Sequence, residues 1–271
     1  MSISRIIRIT TAALGAAALT VTMSPGANAA PAREDVPTFA EFRAATLREA
    51  SGQYIVNGDE TIVNTKELRD YYDGMVGSKD TDSTSLVVNT VGGADDVWSD
   101  ATALTYCVSD SFGADKAAVV AAMQSGASQW EAASSGVDFT YVPSADASCT
   151  VSNPAVVFSV EPTTTTSYIA RAFFPSSPDS QRNVLVNAYS LQSSGSWTPS
   201  NILAHELGHT LGFRHEHTRP EAGTCFEDNN WRPLTPYDKA SIMHYPQCNG
   251  SSSDLSMTDT DRAGVRTLYG S

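Results

Sequence analysis

The 271-residue chain carries 30 acidic against 17 basic residues, a formal net charge of −13. That balance excludes a basic nucleic-acid-binding protein, because neutralising phosphates needs clustered Lys and Arg. With 41% hydrophobic and only 17% charged residues, disorder throughout is also excluded, and a loop-rich domain with a sizeable core is expected.

The first segment reads as an address. Arg5 and Arg8 precede an apolar run from Ile9 to about Val21, and Ala27-Asn28-Ala29 is a small-x-small cleavage pattern. Residues 1–29 are therefore expected to be a secretory signal peptide, the product being secreted, extracellular and free of the membrane. Export favours paired cysteines. Cys107, Cys149, Cys225 and Cys248 allow three connectivities, and pairing 107 with 149 and 225 with 248 keeps each bridge within one half of the chain.

From Phe39 to Ala50 the apolar spacing predicts a loosely amphipathic helix; Tyr54 to Val56 is extended, Gly58-Asp59 is a turn, and Lys66 to Tyr72 is helical. Asp73 to Asp96 turns polar and Gly/Ser/Thr/Asp-rich, the composition of a linker. Leu104 to Val108 alternates as a strand, Lys116 to Ala133 is a helix facing inward through Val119, Val120, Met123, Ala127 and Trp130, and Val137 to Val142 is a second strand. Strand, helix, strand suggests a crossover unit. Extended runs follow at Ala155 to Val160, Tyr168 to Phe174 and Asn183 to Ala188. Thr198-Pro199 opens a helix that runs to Leu211 and ends at Gly212, and Asp259 to Leu268 is the last helix.

Three of the five histidines fall between positions 205 and 215. His205 and His209, four apart on a helix, project from one face and can share a metal. Gly212 lets the backbone leave the helix with positive φ, so that His215 can swing back as a third ligand. Three neutral nitrogens leave the fourth position of one Zn²⁺ for water, the composition of a catalytic site. Glu206 would take the proton from that water and deliver it to the leaving amine.

The run His205-Glu206-x-x-His209-x-x-Gly212-x-x-His215 resembles the metzincin metallopeptidases. Ser241-Ile242-Met243-His244-Tyr245 is similar to the methionine turn of the astacin family, and Glu216 directly follows the third histidine as in astacins. Beyond Arg219 the astacin pattern lapses at Pro220-Glu221-Ala222, which points to a divergent, bacterial-type secreted branch. The resemblance implies a two-lobed, zincin-like α+β fold, with an upper mixed five-stranded sheet, two long helices and an irregular lower lobe carrying a C-terminal helix. It further implies that Met243 forms the floor of the site and that Tyr245 is a movable ligand stabilising the oxyanion, whereas His244 is not a ligand. Val56-Asn57-Gly58-Asp59 is similar to the inhibitory motif of astacin precursors, which makes Asp59 the candidate zymogen latch.

The expected organisation is a signal peptide (1–29), a propeptide with inhibitory segment and linker (30–96) and a catalytic domain (97–271). The expected activity is that of a monomeric zinc endopeptidase acting on proteins or peptides, without nucleic-acid or membrane partners. Tyr168 to Phe174 is the candidate edge strand for the peptide, and Arg214, an exposed or substrate-facing His217 and the 223–236 loop would set side-chain preference. The competing reading is a catalytically silent, zinc-stapled extracellular binding module, for which an intact Glu206 has no use.

Overall fold

The computed structural model describes residues 36–76 and 85–271. The expected signal peptide and residues 77–84 of the expected linker lie outside the described residues. The chain divides into Met1–Val36 and Pro37–Ser271, and everything below concerns the second unit.

Helix α1 (Phe39–Ala45) starts at a reciprocal cap in which Thr38 accepts from the Glu41 amide while the Glu41 carboxylate takes the Thr38 amide at 2.8 Å. It stops five residues short of the expected end. The Thr46 hydroxyl donates to the Phe42 carbonyl at 2.8 Å, and Leu47 leaves to pair with Ile55. Strands β1 (Leu47–Arg48), β2 (Tyr54–Val56) and β3 (Glu60–Ile62) form an antiparallel sheet in that order. The β2–β3 turn needs positive φ at Asn57 (52°) and Gly58 (105°), and it carries Asp59 at its far side. Helix α2 (Thr65–Val76) closes this part, which has its own core of Phe39, Tyr54, Val56, Leu68 and Tyr71.

The polar stretch expected as linker is not loop throughout. Its start continues α2 to Val76, and Ser85–Val91 is strand β4, with β5 (Ala94–Asp95) folded back on it and β10 (Trp231–Thr235) on its other side. Leu86, Val87 and Val88 are fully buried, so three consecutive apolar residues, too few for a periodic signal, carry the burial of this strand.

The upper sheet has the order β6 (Tyr106–Val108), β7 (Phe158–Pro162), β9 (Asn183–Val186), β8 (Ala170–Arg171), with β8 alone antiparallel, at the edge. Four strands are regular among the described residues. The expected strand at 137–142 runs beside β6 through Tyr106 N to Thr140 O at 2.9 Å and Val142 N to Tyr106 O at 2.7 Å, with only the Tyr106–Tyr141 bridge regular. Between β6 and this segment lies helix α3 (Lys116–Glu131), which buries Val119, Met123, Ala127 and Trp130 as the apolar period requires, whereas Val120 is only partly covered. After β9 come a short helix α4 (Ala188–Gln192) and helix α5 (Pro199–Thr210), capped by the Thr198 hydroxyl on the Asn201 amide at 3.2 Å. Helix α6 (Asp259–Tyr269) ends the chain's regular structure. Disulfides join Cys107 to Cys149 and Cys225 to Cys248, the within-half pairing. Among the described residues, no helix is long and apolar enough to cross a membrane.

Helices α3 and α5 lie unusually close because Gly126 faces the α5 backbone: a Cβ there would stand 2.8 Å from Ala204 N and 3.0 Å from Ser200 O. Trp130 fixes the same contact by donating its indole N–H to Ala204 O at 2.7 Å and stacking on Phe213 at 5.2 Å between centroids. Gly126→Val is expected to destabilise the fold by about 1–3 kcal/mol through overpacking, read as a lowered urea midpoint; an unchanged midpoint would contradict this close approach.

Candidate metal centre and cleft

Helix α5 is buried along its second half, so His205 and His209 project inward from a rigid element at 2% and 1% exposure. The chain then reverses at Gly212, whose φ is 95° and whose absent Cβ would stand 2.1 Å from Asp96 O. No other residue meets both conditions. Strand β4 receives the returning chain, with Asn89 N bonded to Gly212 O at 2.8 Å and Arg214 N to Val87 O at 3.0 Å. His215 is thereby delivered to the other two histidines.

Each imidazole is oriented by its Nδ1. His205 Nδ1 donates to Ile242 O at 2.7 Å, His209 Nδ1 to Phe213 O at 2.9 Å, and His215 Nδ1 to Glu227 Oε1 at 2.7 Å. All three are thus set as the tautomer whose Nε2 carries a lone pair. The Nε2 atoms converge, those of His205 and His215 to 3.3 Å. Asp59 of the β2–β3 turn lies across them: Oδ2 is 3.1 Å from His205 Nε2, and Oδ1 is 3.1 Å from His215 Nε2 and 3.8 Å from His209 Nε2. The four ligand atoms lie within 4.8 Å of one another, and neither Asp59 Oδ1 nor His209 Nε2 has a hydrogen-bond partner. Buried lone pairs facing one point without a proton between them fit a metal ion.

The methionine turn supports this arrangement from below. Met243 is fully buried, with its sulfur against Gly208, where a Cβ would come within 2.5 Å. The buried Asp261 carboxylate holds the turn, accepting from the Ser241 hydroxyl at 2.5 Å and the Ile242 amide at 2.9 Å. Ile242 O in turn orients His205. His244 faces away, its Nε2 2.8 Å from the Tyr237 hydroxyl. Tyr245 stacks on His205 at 5.2 Å and 9°, and its hydroxyl donates to Asp59 Oδ2.

Glu206, 2% exposed with Oε2 unpartnered, borders a cleft of about 180 Å³ with His205, Tyr245, Trp197 and the 167–170 segment. Burial pushes its carboxyl well above the usual range, and the neighbouring Asp59 charge adds to this while His215 and Arg171 oppose it. Asp59 goes the other way: burial would raise it, but His215 and the other imidazoles hold it well below an ordinary carboxylate.

Two expectations about the surroundings need correction. His217 is 1% exposed and stacked on His215 at 4.5 Å between centroids, so it is packing behind the third histidine and neither exposed nor substrate-facing. Arg214 is likewise buried, in an ion-pair cluster with Glu60, Glu227 and Asp228. Glu216 is fully buried; its Oε1 accepts from Asp238 N at 3.1 Å and lies 3.7 Å from Arg219. Glu227 and Asp261 were not foreseen. Glu227 belongs to no local pattern, whereas Asp261 was visible as the third residue after the Thr258 cap, a position that did not reveal its contact with the methionine turn.

Helix-borne histidines, a glycine reversal and a methionine turn beneath them define a metallopeptidase centre of the metzincin type. Residues 55–269 match the family described as Dual-action HEIGH metallo-peptidase, and the chain belongs to that family. Curated relatives place it beside the astacins. It is 34% identical over 91 residues to Tolloid-like protein 1 of Homo sapiens, covering 26% of this chain and 9% of that protein. It is 40% identical over 63 residues to Zinc metalloproteinase nas-30 of Caenorhabditis elegans, covering 16% and 8%, and 33% identical over 86 residues to Astacin-like metalloprotease toxin 2 of Loxosceles intermedia, covering 24% and 34%. The chain therefore spans a minor part of the length of these relatives. Among solved structures it is similar to myroilysin at 17% identity and a TM-score of 0.47, covering 68% of this chain and 98% of that one. The chain is a divergent astacin-like metzincin.

Proposed function

We propose that the chain is a secreted zinc endopeptidase made as a zymogen. The observation that carries this reading is the set of three Nδ1-anchored histidines with Glu206 beside them and Asp59 across them. Held by His205, His209 and His215, Zn²⁺ would supply Lewis acidity, lowering the pKa of a bound water and polarising the scissile carbonyl. Glu206, which borders the cleft and whose Oε2 is unpartnered, accepts the proton of the attacking water and passes it to the departing amide nitrogen. The Tyr245 hydroxyl, once free of Asp59, donates to the developing oxyanion. Peptide lies along the edge strand β8, whose free side gives main-chain pairing with little demand on sequence. Two disulfides and the signal pattern in residues 1–29 support export. A zinc-stapled binding module is not favoured, since a staple has no use for a buried carboxylate beside an open cleft.

In the precursor Asp59 takes the place the catalytic water needs. The prosegment begins after the signal peptide at residue 30, and its end is proposed before Ser85 instead of at Asp96. A cut after Asp96 would sever β4, the strand that pairs with β10 and receives Gly212 and Arg214.

Zinc-loaded, processed enzyme should hydrolyse casein, and a chelator should abolish the activity. Glu206→Ala should retain zinc and lose about 10²-fold or more in kcat/KM; full activity in that variant would remove Glu206 from the mechanism. Asp59→Ala should raise the activity of the uncleaved precursor, whereas a precursor that stays silent would count against the latch. N-terminal sequencing of the active form should find its first residue between positions 77 and 85, and a start at 97 would refute the assignment of β4 to the catalytic body.

A further inference from the structure

Among the described residues, three prosegment carboxylates reach the catalytic body, and they differ in what their departure leaves behind. Asp59 lies on the histidines. Glu60 meets Arg214 at 3.3 Å, but Arg214 also holds Glu227 at 2.7 Å and Asp228, both residues of the body, so it stays neutralised without Glu60. Glu49 has no such understudy. Its Oε2 accepts from Arg171 Nη2 at 2.7 Å, and its Oε1 accepts from Arg171 Nε at 3.3 Å and from the Tyr168 hydroxyl at 2.5 Å. Arg171 is 1% exposed, and its other bonds are to neutral oxygens, the carbonyl and Oδ1 of Asn183, both at 2.7 Å. Those bonds keep the guanidinium in position after the prosegment leaves. They do not replace its counter-charge, so the guanidinium is left without the carboxylate that neutralises it.

The place of this pair matters as much as its charge. Arg171 sits on β8, the edge strand. The next residue, Ala172, takes the Asp59 carbonyl on its amide at 3.3 Å, so the prosegment main chain passes this edge on its way to the histidines. Tyr168, Ile169 and Ala170 line the same cleft as His205, Glu206 and Tyr245.

We propose that Arg171 and Tyr168 form a subsite that takes the carboxylate side chain of an Asp or Glu residue of the peptide substrate, and that Glu49 occupies this subsite in the precursor. The proposal rests on the peptidase and zymogen reading above. Two parallel N–H donors plus one O–H donor, set about one point, suit a carboxylate and leave a donor facing a donor when a neutral amide takes its place. The site therefore selects Glu over the isosteric Gln, a difference of charge and hydrogen bonding and not of shape.

The test uses enzyme processed from the full chain and matched peptides that differ only by Glu or Gln at each successive position. The expected result is one position at which Glu raises kcat/KM about tenfold or more over Gln, with that ratio collapsing towards one in Arg171→Gln. Absence of any such position, or a ratio that survives Arg171→Gln, overturns the proposal. A second measurement does not depend on the variant folding. A labelled peptide of residues 46–62 should bind the wild-type enzyme about tenfold more tightly than the same peptide carrying Glu49→Gln, and equal binding overturns the proposal. Because anisotropy reads binding without turnover, failure to cleave any peptide would sink the peptidase reading, while the Glu49 comparison would still decide the subsite.

Discussion

Everything in this structure is subordinate to the convergence of three imidazole lone pairs at one buried point. Such an arrangement is unfavourable by itself: the nitrogens are stripped of water, face one another and have no protons to share. It persists because each ring is pinned from behind by a different part of the chain: the Ile242 carbonyl of the methionine turn, the Phe213 carbonyl at the helix exit and the Glu227 carboxylate of the loop before β10. Those pins have supports of their own. Asp261 holds the methionine turn, β4 holds the exit, and Arg214 with Asp228 holds Glu227. The segment between α5 and α6 is largely irregular because its task is to bring these acceptors to fixed points, which a regular helix or strand would not do.

The same charge arrangement explains the acidic character of the N-terminal part. Six basic stand against eleven acidic residues from position 30 to 84, and three of the acids are matched to cationic or metal-seeking groups: Glu49 to Arg171, Asp59 to the histidines and Glu60 to Arg214. Complementary charge steers and registers a docked segment more than it adds to its affinity. The apolar contribution comes from elsewhere, since α1, α2 and the β2–β3 hairpin pack on one another around Leu68 and Tyr71. A small self-contained core with a carboxylate-bearing turn can leave as a unit, and its departure exposes polar groups more than it dismantles the main core.

How much of this was legible in the sequence depends on whether the cause is local. The histidine run was readable because helix geometry and one positive-φ glycine convert residue spacing directly into convergence. The Thr198-Pro199 start was readable for the same reason. Glu227 was not, since it reaches His215 from a loop twelve residues further on with no periodicity to announce it. The edge strand was expected over seven residues and pairs over two; beyond Arg171 the chain turns inward, giving the Ala172 amide to Asp59 and setting Phe174 edge-on against His209 at 5.6 Å. There the site overrides strand propensity. His217 was expected to be exposed or substrate-facing because it lies two residues from the third histidine, but closeness in sequence does not say which way the ring faces, and it packs against His215.

Strand β4 carries the same lesson further. Its surroundings are linker-like in composition, yet Leu86, Val87 and Val88 are wholly buried, and Leu86 is pressed against Gly264 of α6, where a Cβ would come within 2.3 Å. The strand thus touches the returning chain between His209 and His215 with its main chain and the C-terminal helix with a side chain. Asp261, on that same helix, fixes the methionine turn beneath His205. Two of the three histidines are therefore positioned by elements that meet at β4 and α6, remote in sequence from each other and from the zinc motif. A motif scan locates the ligands, but their geometry is set by this contact, so a catalytic body defined without β4 would keep every ligand and lose the means of aiming His215.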